Sequence, residues 1–272
     1  MPSPYPRLFI LLLPVMILFG AFFLIPMVQL ALAGASGPQG LAAYASILTT
    51  PRHTQSMIAT LLLAVSVTAT ALIVSTIAGL FLARHRFPGR SVLLALLTFP
   101  LAFPGVVVGF LIILLAGRQG VVGDVSRMLT GEKLVFAYSL AGLFVGYLYF
   151  SIPRVILTIM AAAEKLDGAL LEAARSLGAS TWQVTRDIIL PALRPGLIAS
   201  GAICFATAMG AFGTAFALAT NIDVLPMTIY TEFTLNANVA GAASLSLVLG
   251  LVTWIALFIA RSLSGATTAA AA

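Results

Sequence analysis

Side chains able to do chemistry are few in this chain and thinly spread. His53 and His85 are its only histidines and Cys204 its only cysteine. A tetrahedral zinc site needs four such ligands converging, so these three build no metal cluster. His85 lies between Arg84 and Arg86 and reads as part of a basic interfacial group. Cys204 sits in an apolar run as a small packed residue, and a lone cysteine forms no internal disulfide. The acidic residues Asp124, Glu132, Glu164, Asp167, Glu172, Asp187, Asp223 and Glu232 all fall between apolar runs or at their ends. No opposed carboxylate pair lies inside a run for acid–base work, and no serine has an evident base beside it. The only lysines, Lys133 and Lys165, do not end a Gly-x-x-x-x-Gly-Lys-Ser/Thr loop, so the chain has no recognisable nucleotide site of that kind. This inventory argues against an enzyme and against a bound cofactor.

The elements that hold these residues follow from composition. Hydrophobic residues make up 61% of the chain and charged residues 8%. Mean hydropathy is +1.11. A soluble domain carries about 25% charged residues, so this chain belongs in a bilayer. The net charge of +6 is better explained by membrane topology than by nucleic acid, because the positive residues sit in short loops. Apolar runs at roughly 8–33, 57–83, 91–116, 134–160, 196–220 and 241–260 each meet the length of about 20 residues that a crossing helix needs. None alternates as a barrel strand would. The expected fold is therefore all-α and polytopic, a single transmembrane domain over residues 1–272. The first run follows Arg7 and ends near Ala31-Leu32-Ala33, as a cleaved leader does, but leader cores run only about 7–15 residues. It is read as a retained span.

Six spans put both termini on one side. That side holds Arg7, Arg84, Arg86, Arg90, Lys165, Arg175, Arg186, Arg194 and Arg261; the other holds Arg52, Arg118, Arg127 and Lys133. The positive-inside rule makes the richer side cytoplasmic. Phe99-Pro-Leu-Ala-Phe-Pro-Gly105 is expected to bend or break the third helix, and Pro153 the fourth. Such breaks read either as hinges and pathway lining or as ordinary membrane-helix prolines. Gly142-x-x-x-Gly146 suits close packing within the chain better than a dimer seam.

One long polar segment, 164–194, interrupts the apolar pattern between the fourth and fifth runs. Asp167 can cap a helix reaching about Leu177, with Gly178 in the left-handed position that follows. Leu170, Ala174 and Leu177 form a narrow apolar stripe, with Glu172 and Arg175 off it. Ser180 and Gln183 have the spacing of a capping box for a second short helix, which Pro191 and Pro195 should end. On physical grounds alone this helix–Gly–helix unit is either a docking element or a passive hairpin.

Glu172, Ala173, Ala174, Gly178, Ile188, Leu190 and Pro191 carry a more specific signal. Their spacing is Glu-Ala-Ala, three residues, glycine, nine residues, isoleucine, one residue, Leu-Pro. It resembles the EAA loop of permease subunits of binding-protein-dependent ABC importers, and the six-span layout is similar too. The resemblance implies a permease forming half of a solute pathway in the bacterial inner membrane. Its partners would be a cytoplasmic ABC ATPase dimer that binds the ATP, a second permease (a copy or a paralogue) and an extracytoplasmic substrate-binding protein. The loop would couple ATPase closure to rocking of the spans. A gradient-driven transporter is the alternative; the absence of acids at membrane depth disfavours proton coupling, although sodium can be held without them.

Phe150–Arg154 and Ala206–Glu232 resemble the polyamine branch of the family, close to permeases for ferric iron, thiamine, sulfate and aminoethylphosphonate. A polyamine or a related small charged solute is the expected substrate. A polyamine would suit acidic pathway residues, whereas the fourth run offers Arg154, which suits an anion or an ordinary salt-bridge or interface role. The candidate pathway residues are Tyr147, Tyr149, Ser151, Arg154, Thr207, Thr214 and Asn221, most of which hydrogen bonds between helices would also explain.

Overall fold

The computed structural model describes residues 5–218 and 222–264, with side chains for 11–218 and 222–262. Every regular element among them is helical. In chain order these are α1 (Tyr5–Phe19), α2 (Ile25–Ala35), α3 (Ser46–Thr49), α4 (Pro51–Arg84), α5 (Arg90–Thr98), α6 (Gly105–Ala116), α7 (Val121–Thr130), α8 (Leu140–Ala163), α9 (Gly168–Ser176), α10 (Thr181–Val184), α11 (Leu190–Gly210), α12 (Gly213–Leu218), α13 (Leu225–Tyr230) and α14 (Val239–Ser264). Among the described residues six stretches are long and apolar enough to cross a membrane: Leu11–Ala35, Pro51–Arg84, Gly105–Thr130, Leu140–Ala163, Thr181–Gly210 and Val239–Ser262. Helices are the solution a bilayer demands, since every backbone N–H must find its partner within the segment.

Two of the apolar runs differ from single straight spans. The third, 91–116, is broken: α5 gives way to a 3-10 turn at Phe99–Ala102, and α6 restarts at Gly105. Pro100 and Pro104 supply no backbone donor, and Phe103, preceding a proline, is extended with ψ 132°. The fifth run, 196–220, is displaced. Its helix begins at Thr181 and stops at Gly210, and the chain then turns through Ala211 (ψ 101°) into α12. The expectation that Pro191 and Pro195 end the second loop helix is thus corrected: both lie within the continuous helix Thr181–Gly210.

The reason lies just upstream. Thr185–Ile189 is a wide π turn in which Leu190 N–H bonds back to the Thr185 carbonyl. The extra residue in the turn relieves the contact between a proline ring and the carbonyl one turn back. The same device precedes Pro26, where Gly20–Leu24 is a π turn between α1 and α2. Pro153 also leaves its helix unbroken, since α8 runs through it from Leu140 to Ala163.

By internal contacts the chain divides into two units. One comprises 1–55 with 228–251 and the other 56–227 with 252–272. In the first, Tyr44 donates its hydroxyl to the Ala31 carbonyl, tying α2 to the turn that follows it. Thr54 bonds the Ile47 carbonyl at 2.7 Å. Glu232 accepts from Asn236 at 3.1 Å and Asn238 at 2.8 Å, with His53 Nε2 3.9 Å away.

The second unit holds the larger core. Leu143, Ile159, Leu193, Met209, Val67 and Val108 are fully buried there. Helices in lipid gain little from apolar burial against one another, so close backbone approach matters more. A Cβ on Gly109 of α6 would lie 2.4 Å from Ala217 Cβ on α12, and one on Gly146 would lie 2.8 Å from Thr214 Cγ2. Gly146 of the Gly-x-x-x-Gly pair therefore serves packing within the chain. Polar groups add ties at buried points: Ser75 donates to the Ile152 carbonyl at 3.1 Å, and Thr60 accepts from Leu225 N–H at 2.8 Å.

Candidate functional site

The polar segment forms as its local chemistry requires. Asp167 Oδ1 accepts from Ala169 N–H at 2.9 Å and caps α9. At the other end Gly178 has φ +85°. Gly178 N–H bonds Arg175 O at 2.9 Å and Ala179 N–H bonds Ala174 O at 3.1 Å, the paired closure of a Schellman motif. Ser180 and Gln183 complete the reciprocal box: Ser180 N–H donates to Gln183 Oε1 at 2.7 Å, and Gln183 N–H to Ser180 Oγ at 3.3 Å.

No side chain of α9 is buried. Glu172 and Ala173 are exposed and Ala174 is half-buried. The apolar stripe is unpartnered, with Leu177 89% and Leu170 54% exposed, and Trp182 beyond the turn is 67% exposed. Ile188, Leu190 and Pro191 fall on the following helix, at and just after its π turn. The seven motif residues therefore form two groups joined by the Gly178 turn.

A second feature lies inside the second unit, where the two helix breaks meet. A cavity of about 300 Å³ is bordered by Pro100, Leu101, Phe103, Gly105 and Val106 at the first break, by Ala211, Gly213 and Thr214 at the second, and by Phe150, Arg154 and Thr207. The breaks are fastened to their surroundings. Thr214 Oγ1 donates to the Gly105 carbonyl at 3.0 Å. Tyr147 donates to the carbonyl of Ala211, the residue at which α11 stops. Across the cavity Arg154 Nη1 donates to Thr207 Oγ1 at 3.1 Å, and that hydroxyl donates to Ile203 O at 2.7 Å.

Of the candidate pathway residues, Arg154, Thr207 and Thr214 come together at this cavity. Tyr147 is buried and its hydroxyl is committed to Ala211. Ser151 is buried with no hydrogen-bond partner for its hydroxyl, and Tyr149 is half-buried; neither borders the cavity. Asn221 lies outside the described residues. The sequence offers the Phe99–Gly105 break, with Leu101 and Phe103, as a hinge or pathway lining, but does not single out Phe150, Ala211 or Gly213 as pathway residues. The usable signal was the pair of interruptions, Pro100 to Gly105 and Gly210 to Gly213, because irregular backbone at membrane depth persists only where protein buries it or it lines a cavity.

The fold is that of an all-helical, multi-span membrane protein. A chain of a bacterial alginate ABC transporter superposes with a TM-score of 0.79, covering 96% of this chain and 95% of that one at 19% identity. Sequence relationship carries the assignment further. Residues 75–267 match the binding-protein-dependent transport system inner membrane component, and the chain belongs to that family. It is 33% identical to the molybdenum transport system permease protein ModB of Escherichia coli K12, over 75% of this chain and 91% of that protein. To the putative 2-aminoethylphosphonate transport system permease protein PhnU of Salmonella typhimurium it is 29% identical, over 88% of this chain and 85% of that protein. The protein is a multi-pass inner-membrane permease subunit of an ABC importer, and the gradient-driven alternative falls away.

Proposed function

We propose that this subunit carries a small oxyanion through a pathway shared with a second permease, driven by separate ATPase subunits that grip the loop 164–194. The observation that carries the coupling role is the exposed stripe of α9. Leu170, Leu177 and Trp182 stand unpartnered on either side of a rigid, doubly capped turn. Large apolar side chains held that firmly in the open are the mark of a surface awaiting a partner. The positive-charge bias supports a cytoplasmic position for this loop and both termini, on the side where ATP is available. A binding protein would deliver solute on the opposite face.

The substrate class follows from charge. The cavity bordered by Arg154 has no acidic side chain on its wall. A polyamine would meet a cation there without compensation, so the polyamine expectation gives way. The two relatives are named for molybdenum, which dissolves in oxygenated water as a tetrahedral oxyanion, and for a phosphonate.

Reconstitution with the ATPase subunits and binding protein tests the assignment. ATP-dependent accumulation of molybdate, sulfate or 2-aminoethylphosphonate is expected, unaffected by excess spermidine. Accumulation of spermidine with none of the three anions would overturn the oxyanion reading.

A further inference from the structure

The structure assigns Arg154 to a transient anion-binding site on the solute route, a proposal that rests on the oxyanion reading above. Arginine carries five N–H donors and is always charged. Here one of them, on Nη1, reaches Thr207 Oγ1. Among the described residues no carboxylate lies within ion-pair distance of the guanidinium. The cavity that Arg154 borders is otherwise walled mainly by the apolar side chains of Pro100, Leu101, Phe103, Val106 and Phe150, with Thr214 the other hydroxyl on its lining.

A full charge on a membrane-spanning helix is costly when it faces lipid, and such residues face a water-filled route or a partner. Arg154 is exposed on α8 and turned into a cavity of about 300 Å³. That volume accommodates a tetrahedral oxyanion with some of its water. The guanidinium fork matches two oxygens of such an ion at once.

Thr207 decides how the arginine is held. Its proton goes to Ile203 O at 2.7 Å, so a lone pair is left for Arg154 at 3.1 Å. A neutral hydroxyl steadies the guanidinium without neutralising it, as a carboxylate would. The site is then strong enough to draw an anion and weak enough to release it, which a pathway requires.

The test uses the complete transporter in proteoliposomes, with Cys204→Ala and a probe cysteine at Leu101, on the cavity wall. Two thiol reagents of similar size are compared, the anionic sulfonatoethyl and the cationic trimethylammonioethyl methanethiosulfonates, each normalised to its rate with a free thiol. The anionic reagent should win. Arg154→Gln should lower the anion-to-cation ratio by about threefold or more, and Arg154→Lys should largely keep it. Without the probe cysteine, Arg154→Gln should cut molybdate or sulfate uptake by about tenfold while ATP hydrolysis stimulated by the loaded binding protein persists. A ratio indifferent to Arg154, or no reaction at Leu101→Cys in any nucleotide state, would overturn the proposal. So would loss of the assembled complex in Arg154→Gln, which would make the charge an interface contact. If the ratio tracks Arg154 while none of the oxyanions is carried, the oxyanion reading fails and the anion preference of the cavity stands.

Discussion

Tyr147 of α8 and Ala211, where α11 stops, are 64 residues apart in the chain and joined by a hydrogen bond from the phenol to the free carbonyl. A helix that stops leaves its last carbonyls with no partner one turn on. Lipid offers none, so a neighbouring helix must. The tyrosine is 1% exposed, so its ring is packed and its hydroxyl does not compete with water for the bond.

Removing that hydroxyl should show its worth. Tyr147→Phe keeps the ring and leaves the Ala211 carbonyl without this donor, a loss of about 1–3 kcal/mol for a buried group. The detergent-solubilised transporter should melt several degrees lower, with uptake reduced. An unchanged melting temperature would mean that water or another group replaces the phenol.

Gly178→Val addresses coupling. A β-branched residue at φ +85° bears a left-handed penalty of about 1–2 kcal/mol, confined to a turn outside the spans. Membrane insertion should be normal. The angle between α9 and the helix that follows it should change. Either the ATPase subunits should be lost on co-purification, or their hydrolysis should no longer respond to the loaded binding protein. Wild-type uptake at equal expression would make the loop a passive hairpin.

Topology can be read with a single thiol. Ser176, exposed at the end of α9, replaced by cysteine in the Cys204→Ala background should react with a membrane-impermeant maleimide in inverted vesicles only. Labelling in intact spheroplasts would reverse the proposed orientation.

The polar segment was legible residue by residue because every interaction that shapes it is local. Asp167 reaches Ala169, Gly178 closes on Arg175, and Ser180 exchanges bonds with Gln183. The apolar runs were legible for the same reason, since hydropathy acts over one helix length. Where the fifth helix starts was not. Pro191 and Pro195 have the sequence character of stops, but a wide turn upstream lets the helix pass through them, and no composition rule announces which proline a helix will absorb.

The chain order of residues thus determined by itself the all-helical class, the bilayer as solvent, and the capped turn at Gly178. The tertiary structure alone decided which breaks meet. Gly105 joins Thr214 across 109 residues and Arg154 joins Thr207 across 53. Such pairs depend on helix rotation and on where glycines let backbones close, as Gly109 does against Ala217. A periodic apolar pattern says which segments cross the membrane; in lipid, where both faces of a span are apolar, it carries almost no information about which face meets which neighbour.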